Sequence, residues 1–152
     1  MTNSAEHKGA AKRSTTEPPP RKPAARKTLL LVDDDVQFAK MLRVLLEGQR
    51  FEVVEASNGA AALREVMARD FDVILCDMVM PEFPGDMFYR AVERVKPAQC
   101  RRFIFMTGYR GDQKVVEFIG KVGGFVVWKP FEFKALQNAI DTLQGRVRAS
   151  PA

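Results

Sequence analysis

Cysteine is scarce in this sequence: Cys76 and Cys100 are the only two among 152 residues. Two thiols make neither a disulfide framework nor a metal site. They are expected as small buried or half-buried groups in a reducing cytoplasm. Long apolar runs are lacking too. None approaches the roughly 18 residues that span a bilayer, so membrane insertion is not expected. The N-terminus is basic but has no apolar h-region, which excludes a secretory signal, and Pro18-Pro19-Pro20 would break the amphipathic helix of a transit peptide. The folded part also lacks excess charge. The formal charge is +5, yet residues 1–28 hold seven basic and two acidic groups, leaving residues 29–152 balanced. The basic character therefore belongs to the tail.

Residues 1–27 have few large apolar groups, four prolines and scattered charge, the composition of a disordered basic extension. From residue 28 to about 146 the pattern is one domain with one core, and 147–152 form a short C-terminal tail. Thr28–Val32 is a brief apolar run without alternation, as in a strand buried on both faces. Phe38, Met41, Leu42, Leu45 and Leu46 then recur at helical spacing, and Gly48 ends that helix. Phe51–Glu55 reads as a second strand. Asn58 is a candidate N-cap for a helix over 60–69, with Leu63, Val66 and Met67 on its buried face. Further strands are read at 71–76, 102–106 and 125–128. Further helices are read at about 87–95, 112–121 and 131–145, the last with Phe133, Leu136, Ile140 and Leu143 as its buried stripe.

Five strand–helix units imply right-handed crossovers and a parallel sheet covered on both faces. Ligands of such sheets sit at the carboxyl ends of the strands. The polar groups at those ends are Asp33-Asp34, Asp77, Thr107 and Lys129. Three neighbouring carboxylates repel one another, which a divalent cation relieves. Carboxylate oxygens plus water suit Mg²⁺. With a lysine and a hydroxyl, they make a cradle for a phosphoryl group in transfer. Asp77 ends a middle strand and is the candidate nucleophile, while Asp33 and Asp34 would hold the metal. Asp35 reads as a helix cap.

Leu31-Val32-Asp33-Asp34-Asp35, Leu75-Cys76-Asp77-Met78-Val79-Met80-Pro81 with Gly85 four residues on, Met106-Thr107-Gly108-Tyr109 and Trp128-Lys129-Pro130-Phe131 together resemble the response-regulator receiver domain of two-component systems. The resemblance implies a flavodoxin-like α/β (βα)5 fold with sheet order 2-1-3-4-5. It implies that Asp77 is phosphorylated from a sensor histidine kinase or histidine phosphotransfer protein. It assigns Mg²⁺ to Asp33, Asp34, Asp77 and the backbone carbonyl of Val79, with Asp34 ahead of Asp33 as direct ligand. Thr107 and Lys129 would contact the phosphoryl oxygens, and the Lys129–Pro130 bond would be cis. The output face would involve the fourth helix, fifth strand and fifth helix, with Tyr109, Trp128 and Phe131 on it. A phosphorylation-dependent dimer through that face is a further implication.

Receivers commonly carry an aromatic residue three positions before the lysine, where this chain has Val126. Strand alternation is read as putting Phe125 and Trp128 on the face opposite Val126. Val79 cannot orient an attacking water by hydrogen bonding. It also replaces the second acid/base aspartate that small-molecule phosphatases place two residues after the nucleophile. Apart from its own phosphorylation and dephosphorylation, no enzymatic activity is expected. Flavin binding is disfavoured because three aspartates after the first strand repel phosphate. About seven residues follow the last helix, so a stand-alone receiver is expected, acting on a separate downstream protein or in a phosphorelay. The tail lacks aromatic residues for base stacking, so nucleic-acid binding is not favoured. The alternative reading is a receiver-regulated binder of nucleic acid or an anionic surface, since seven cations on the tail would still give weak salt-sensitive affinity, and Pro18–Pro23 offers a polyproline strip for docking.

Overall fold

The computed structural model describes residues 26–108 and 111–149. Tyr109 and residues 1–25 and 150–152 of the two tails lie outside these residues, and Lys27, read above as tail, is the first residue of a strand. The elements run β1 (Lys27–Val32), α1 (Val36–Gly48), β2 (Phe51–Ala56), α2 (Gly59–Ala68), β3 (Val73–Asp77), α3 (Gly85–Val95), a 3₁₀ helix (Pro97–Arg102), β4 (Phe103–Thr107), α4 (Gln113–Val122), β5 (Phe125–Trp128) and α5 (Phe133–Ala149). The five strands are parallel in the order β2-β1-β3-β4-β5.

Alternation along the strands builds two apolar layers. Leu30, Val32, Ile74, Cys76, Phe103 and Phe105 face one way and pack with Ala62 and Val66 of α2, Phe88 and Val92 of α3, and Val115 and Ile119 of α4. Leu29, Leu31, Val73, Leu75, Ile104 and Met106 face the other way. They pack with Leu42 and Leu46 of α1 and with Leu136, Ile140 and Leu143 of α5. Both faces are covered, which is why β1, β3 and β4 read as unbroken apolar runs.

Helix starts follow the sequence. The Asp35 carboxylate accepts the Phe38 N–H at 3.0 Å, and the Asn58 side chain accepts the Ala61 N–H at 2.8 Å. Each supplies an acceptor to a first-turn donor that has no partner within the helix.

Several expectations are corrected. Met41 (55 % exposed) and Leu45 point away from the core, and α1 buries Ala39, Leu42 and Leu46 instead. Met67 is 62 % exposed, and α2 buries Ala62 and Val66. The expected end of α1 at Gly48 holds, and the turn after it uses Arg50 at φ 69°. β3 begins at Val73; Phe71 precedes it and donates its N–H to Gln99 Oε1 at 2.8 Å. The 3₁₀ helix has no counterpart among the expected elements. α5 starts at Phe133 and continues to Ala149, so Phe131 precedes the helix and residues 147–149 belong to it.

Candidate functional site: an acidic cluster at the carboxyl edge of the sheet

The strands carry apolar residues until they leave the sheet, and polarity appears at that point. Asp33 follows the last residue of β1, and its N–H donates to Ala56 O at 3.1 Å, continuing the β1–β2 ladder. Its Oδ1 accepts the Asp35 N–H at 2.9 Å, an Asx turn that fixes the carboxylate. Asp77 ends β3, and its Oδ1 accepts the Val79 N–H at 3.2 Å. Asp33 and Asp77 are buried, while Asp34 is exposed. One carboxylate oxygen from each of Asp33, Asp34 and Asp77 lies within 4.8 Å of the others.

Lys129 arrives from beyond β5. Its N–H donates to Thr107 O at 2.8 Å, and its ammonium sits 2.8 Å from Asp33 Oδ2 and 3.6 Å from Asp77 Oδ2. The Lys129–Pro130 peptide is cis. Thr107 is fully buried at the end of β4, paired in register with Trp128. Phe38, in the first turn of α1, places its ring under the lysine, with Nζ 4.3 Å from the ring centroid. Its edge meets Phe131 with centroids 6.1 Å apart. Helical spacing alone marks Phe38 as core. Its position one helical turn after Asp34 was the available signal for a place in the site.

The β3–α3 loop closes over the phosphoacceptor candidate. Gly85 N–H donates to Met78 O at 3.0 Å, and a Cβ at residue 85 would stand 2.6 Å from Asp77 O and 2.9 Å from Met78 Cα. Only glycine permits that approach. Cys76, adjacent to the cluster, is fully buried, and burial pushes its thiol well above the usual range. It is a packing group rather than a nucleophile.

Burial pushes the Asp77 carboxyl up from 3.8 to about 6. Lys129 and the Val79 N–H pull it down, and the charges of Asp33 and Asp34 push it further up. Three carboxylates against one ammonium leave the cluster electron-rich. Its donors are hard oxygens, two held by buried aspartates and one by an exposed aspartate open to water. This donor set fits a small divalent cation such as Mg²⁺.

One expectation about β5 is overturned. Residues two apart on a strand share a face, so Trp128 lies on the same side of the sheet as Val126, not opposite it. Val126 packs on the layer that contains Phe105, whereas Phe125 joins the α1–α5 layer. The aromatic bulk near Val126 comes from Phe105 and Phe118, whose centroids are 5.6 Å apart. Trp128 and Phe131 are half-buried, and the Val79 side chain is exposed.

A parallel 2-1-3-4-5 sheet covered on both faces, with an acidic cluster at its carboxyl edge, defines a flavodoxin-like receiver fold. Comparison with known proteins agrees. The response regulator receiver domain model matches residues 29–141, and the chain belongs to that family. It is similar to the transcriptional regulatory protein ZraR of Escherichia coli O157:H7, 33 % identical over 109 residues, covering 71 % of this chain and 24 % of that protein. The chain thus spans about a quarter of the length of the curated relatives it matches first. It is also similar to the response regulator receiver protein CpdR of Brucella abortus, 28 % identical over 110 residues, covering 72 % of this chain and 90 % of that one. Among solved structures, a response regulator receiver domain protein from Clostridium thermocellum superposes with a TM-score of 0.72 at 27 % identity, covering 81 % and 98 % of the two chains. Among the described residues, no helix is long and apolar enough to cross a membrane.

Proposed function

We propose that this chain is a phospho-accepting response regulator in which Asp77 takes a phosphoryl group from a phosphohistidine of a sensor kinase or phosphotransfer protein. The observation that carries this reading is the convergence of Asp33, Asp34 and Asp77 within 4.8 Å, with the Lys129 ammonium on two of them. An Asp77 carboxylate oxygen attacks phosphorus, the P–N bond to the imidazole breaks, and an aspartyl phosphate forms. With its carboxyl at about 6, Asp77 is ionised near neutral pH yet more basic than an ordinary aspartate, which favours nucleophilic attack. Asp33, Asp34, Asp77 and the Val79 carbonyl would hold Mg²⁺, which when bound offsets charge on the phosphoryl oxygens. The Lys129 ammonium exchanges Asp77 for a phosphoryl oxygen over a short movement, and the Thr107 hydroxyl donates to a second one.

The readout of phosphorylation runs through β4, β5 and the approach to α5. Lys129 and Thr107 sit at that edge, and Phe131 touches Phe38 beneath the lysine. Val126 in place of an aromatic residue means that movement of Thr107 is sensed by Phe105, Phe118 and Trp128 rather than by a swinging ring at 126. This face is the one that a downstream partner reads.

Incubation with acetyl phosphate and Mg²⁺ tests the proposal. The wild-type chain should gain one phosphoryl group, and Asp77→Ala should gain none. Equal labelling of both sinks the assignment.

A further inference from the structure

A groove of about 910 Å³ lies between the C-terminal end of α1 and α5 from Phe133 to Gln144, and none of the acidic-cluster residues lines it. Its lower end is bounded by Lys27 and Phe51, the first residues of β1 and β2. That end lies at the amino edge of the sheet, a strand length of about 17–20 Å from the edge that carries Asp77.

The lining is layered by chemistry. Leu46, Phe51, Phe133 and Ile140 form an apolar floor, and Gln49, Gln137, Asn138 and Gln144 add side-chain amides. Four cations stand at the rim, Arg26, Lys27, Arg50 and Lys134, against the single carboxylate of Asp141. None of the four forms an ion pair with a described residue. Arg26 and Lys27 close the basic N-terminal segment, whereas Arg50 and Lys134 come from residues 29–152, whose charge is balanced overall. Among the described residues, the buried Gln144 amide nitrogen has no hydrogen-bond partner. A buried donor with no acceptor is rare in folded proteins.

Shape narrows the class of ligand. On α5 the lining residues recur every three or four positions from Phe133 to Gln144, a track of about 16 Å at ~1.5 Å per residue. That is the reach of roughly five extended residues. Side-chain amides pair with a peptide backbone, an apolar floor takes alternate side chains, and a cationic rim selects carboxylates. We propose that the α1–α5 groove binds an extended, acidic peptide segment of a partner protein. The chain's own residues 1–25 carry an excess of positive charge, so like charges oppose them as the occupant. The proposal stands apart from the phosphoryl-transfer reading and does not need it.

Fluorescence anisotropy on the full chain tests it, with a fluorescein-labelled ten-residue peptide alternating glutamate and leucine as probe. Saturable binding is expected. The double variant Arg26→Glu/Lys134→Glu should weaken it about tenfold or more, and Gln144→Leu severalfold. Arg94→Glu, on α3 across the sheet, should change it less than about twofold. Both reversed residues are exposed, so unchanged thermal unfolding of the double variant shows that loss of binding is not loss of fold. Absence of saturable binding overturns the proposal. So does equal binding of a glutamine-for-glutamate peptide, tighter binding of a single-stranded oligonucleotide or of a peptide copying residues 1–25, or binding indifferent to the groove reversal.

Discussion

Neutralising the phosphoacceptor candidate should make the protein more stable. Asp77 is buried beside two other carboxylates, and its carboxyl is held at about 6 instead of 3.8. The folded state therefore binds this proton more tightly than the unfolded chain. Unfolding between about pH 4 and pH 6 releases protons, so this group's contribution to stability falls as pH rises through that window. The full penalty is present above about pH 6, and it vanishes below the unfolded value. The rise from 3.8 to about 6 sets a ceiling of ~3 kcal/mol on that penalty. The carboxyl edge is open to water, and screening there reduces the expected penalty to about 1–2 kcal/mol. Asp77→Asn keeps an oxygen to accept the Val79 N–H and leaves Lys129 on Asp33, 2.8 Å away. No buried cation is orphaned. In EDTA near about pH 7.5, the variant should melt about 4–8 °C above wild type. Near about pH 4 the two should coincide. A variant no more stable at the higher pH would refute the reasoning, as would a gain that persists undiminished in acid.

Phe38→Leu removes the ring beneath Lys129 while keeping an apolar group on α1. A cation–π contact of ~0.5–1 kcal/mol predicts phosphorylation by acetyl phosphate slowed about two- to fivefold, with Phe38→Tyr near wild type; equal rates for all three would remove Phe38 from the site. Gly85→Ala forces a methyl group against the backbone of Asp77 and Met78. Urea unfolding should show a loss of about 1–3 kcal/mol, and phosphorylation should fall because the β3–α3 loop moves; a neutral substitution would contradict the close approach.

The acidic cluster was legible because parallel strands buried on both faces stay apolar until they leave the sheet. Asp33, Asp77, Thr107 and Lys129 each mark such an exit, and topology brings the exits to one edge. What the sequence hid was orientation and distance. α1 is apolar around much of its circumference, so spacing alone did not separate the buried Leu42 and Leu46 from the exposed Met41 and Leu45. The segment Pro97–Arg102 makes a single short 3₁₀ element with no apolar period to announce it. The contact between Phe38 and Lys129 joins the first helix to the end of the last strand, and no local pattern encodes it. Trp128 was misplaced for a simpler reason: two residues along a strand return to the same face, so it accompanies Val126. The groove beside α5 was invisible because its cations come from separate places in the chain.

The central claim is that Asp77 is the phosphoryl acceptor. Borohydride trapping after incubation with acetyl phosphate reduces an aspartyl phosphate to homoserine, and peptide mapping then locates it. The account predicts homoserine at position 77 alone, formed with Mg²⁺ and absent in EDTA. Trapping at position 33 or 34, or the same yield without the metal, would contradict it.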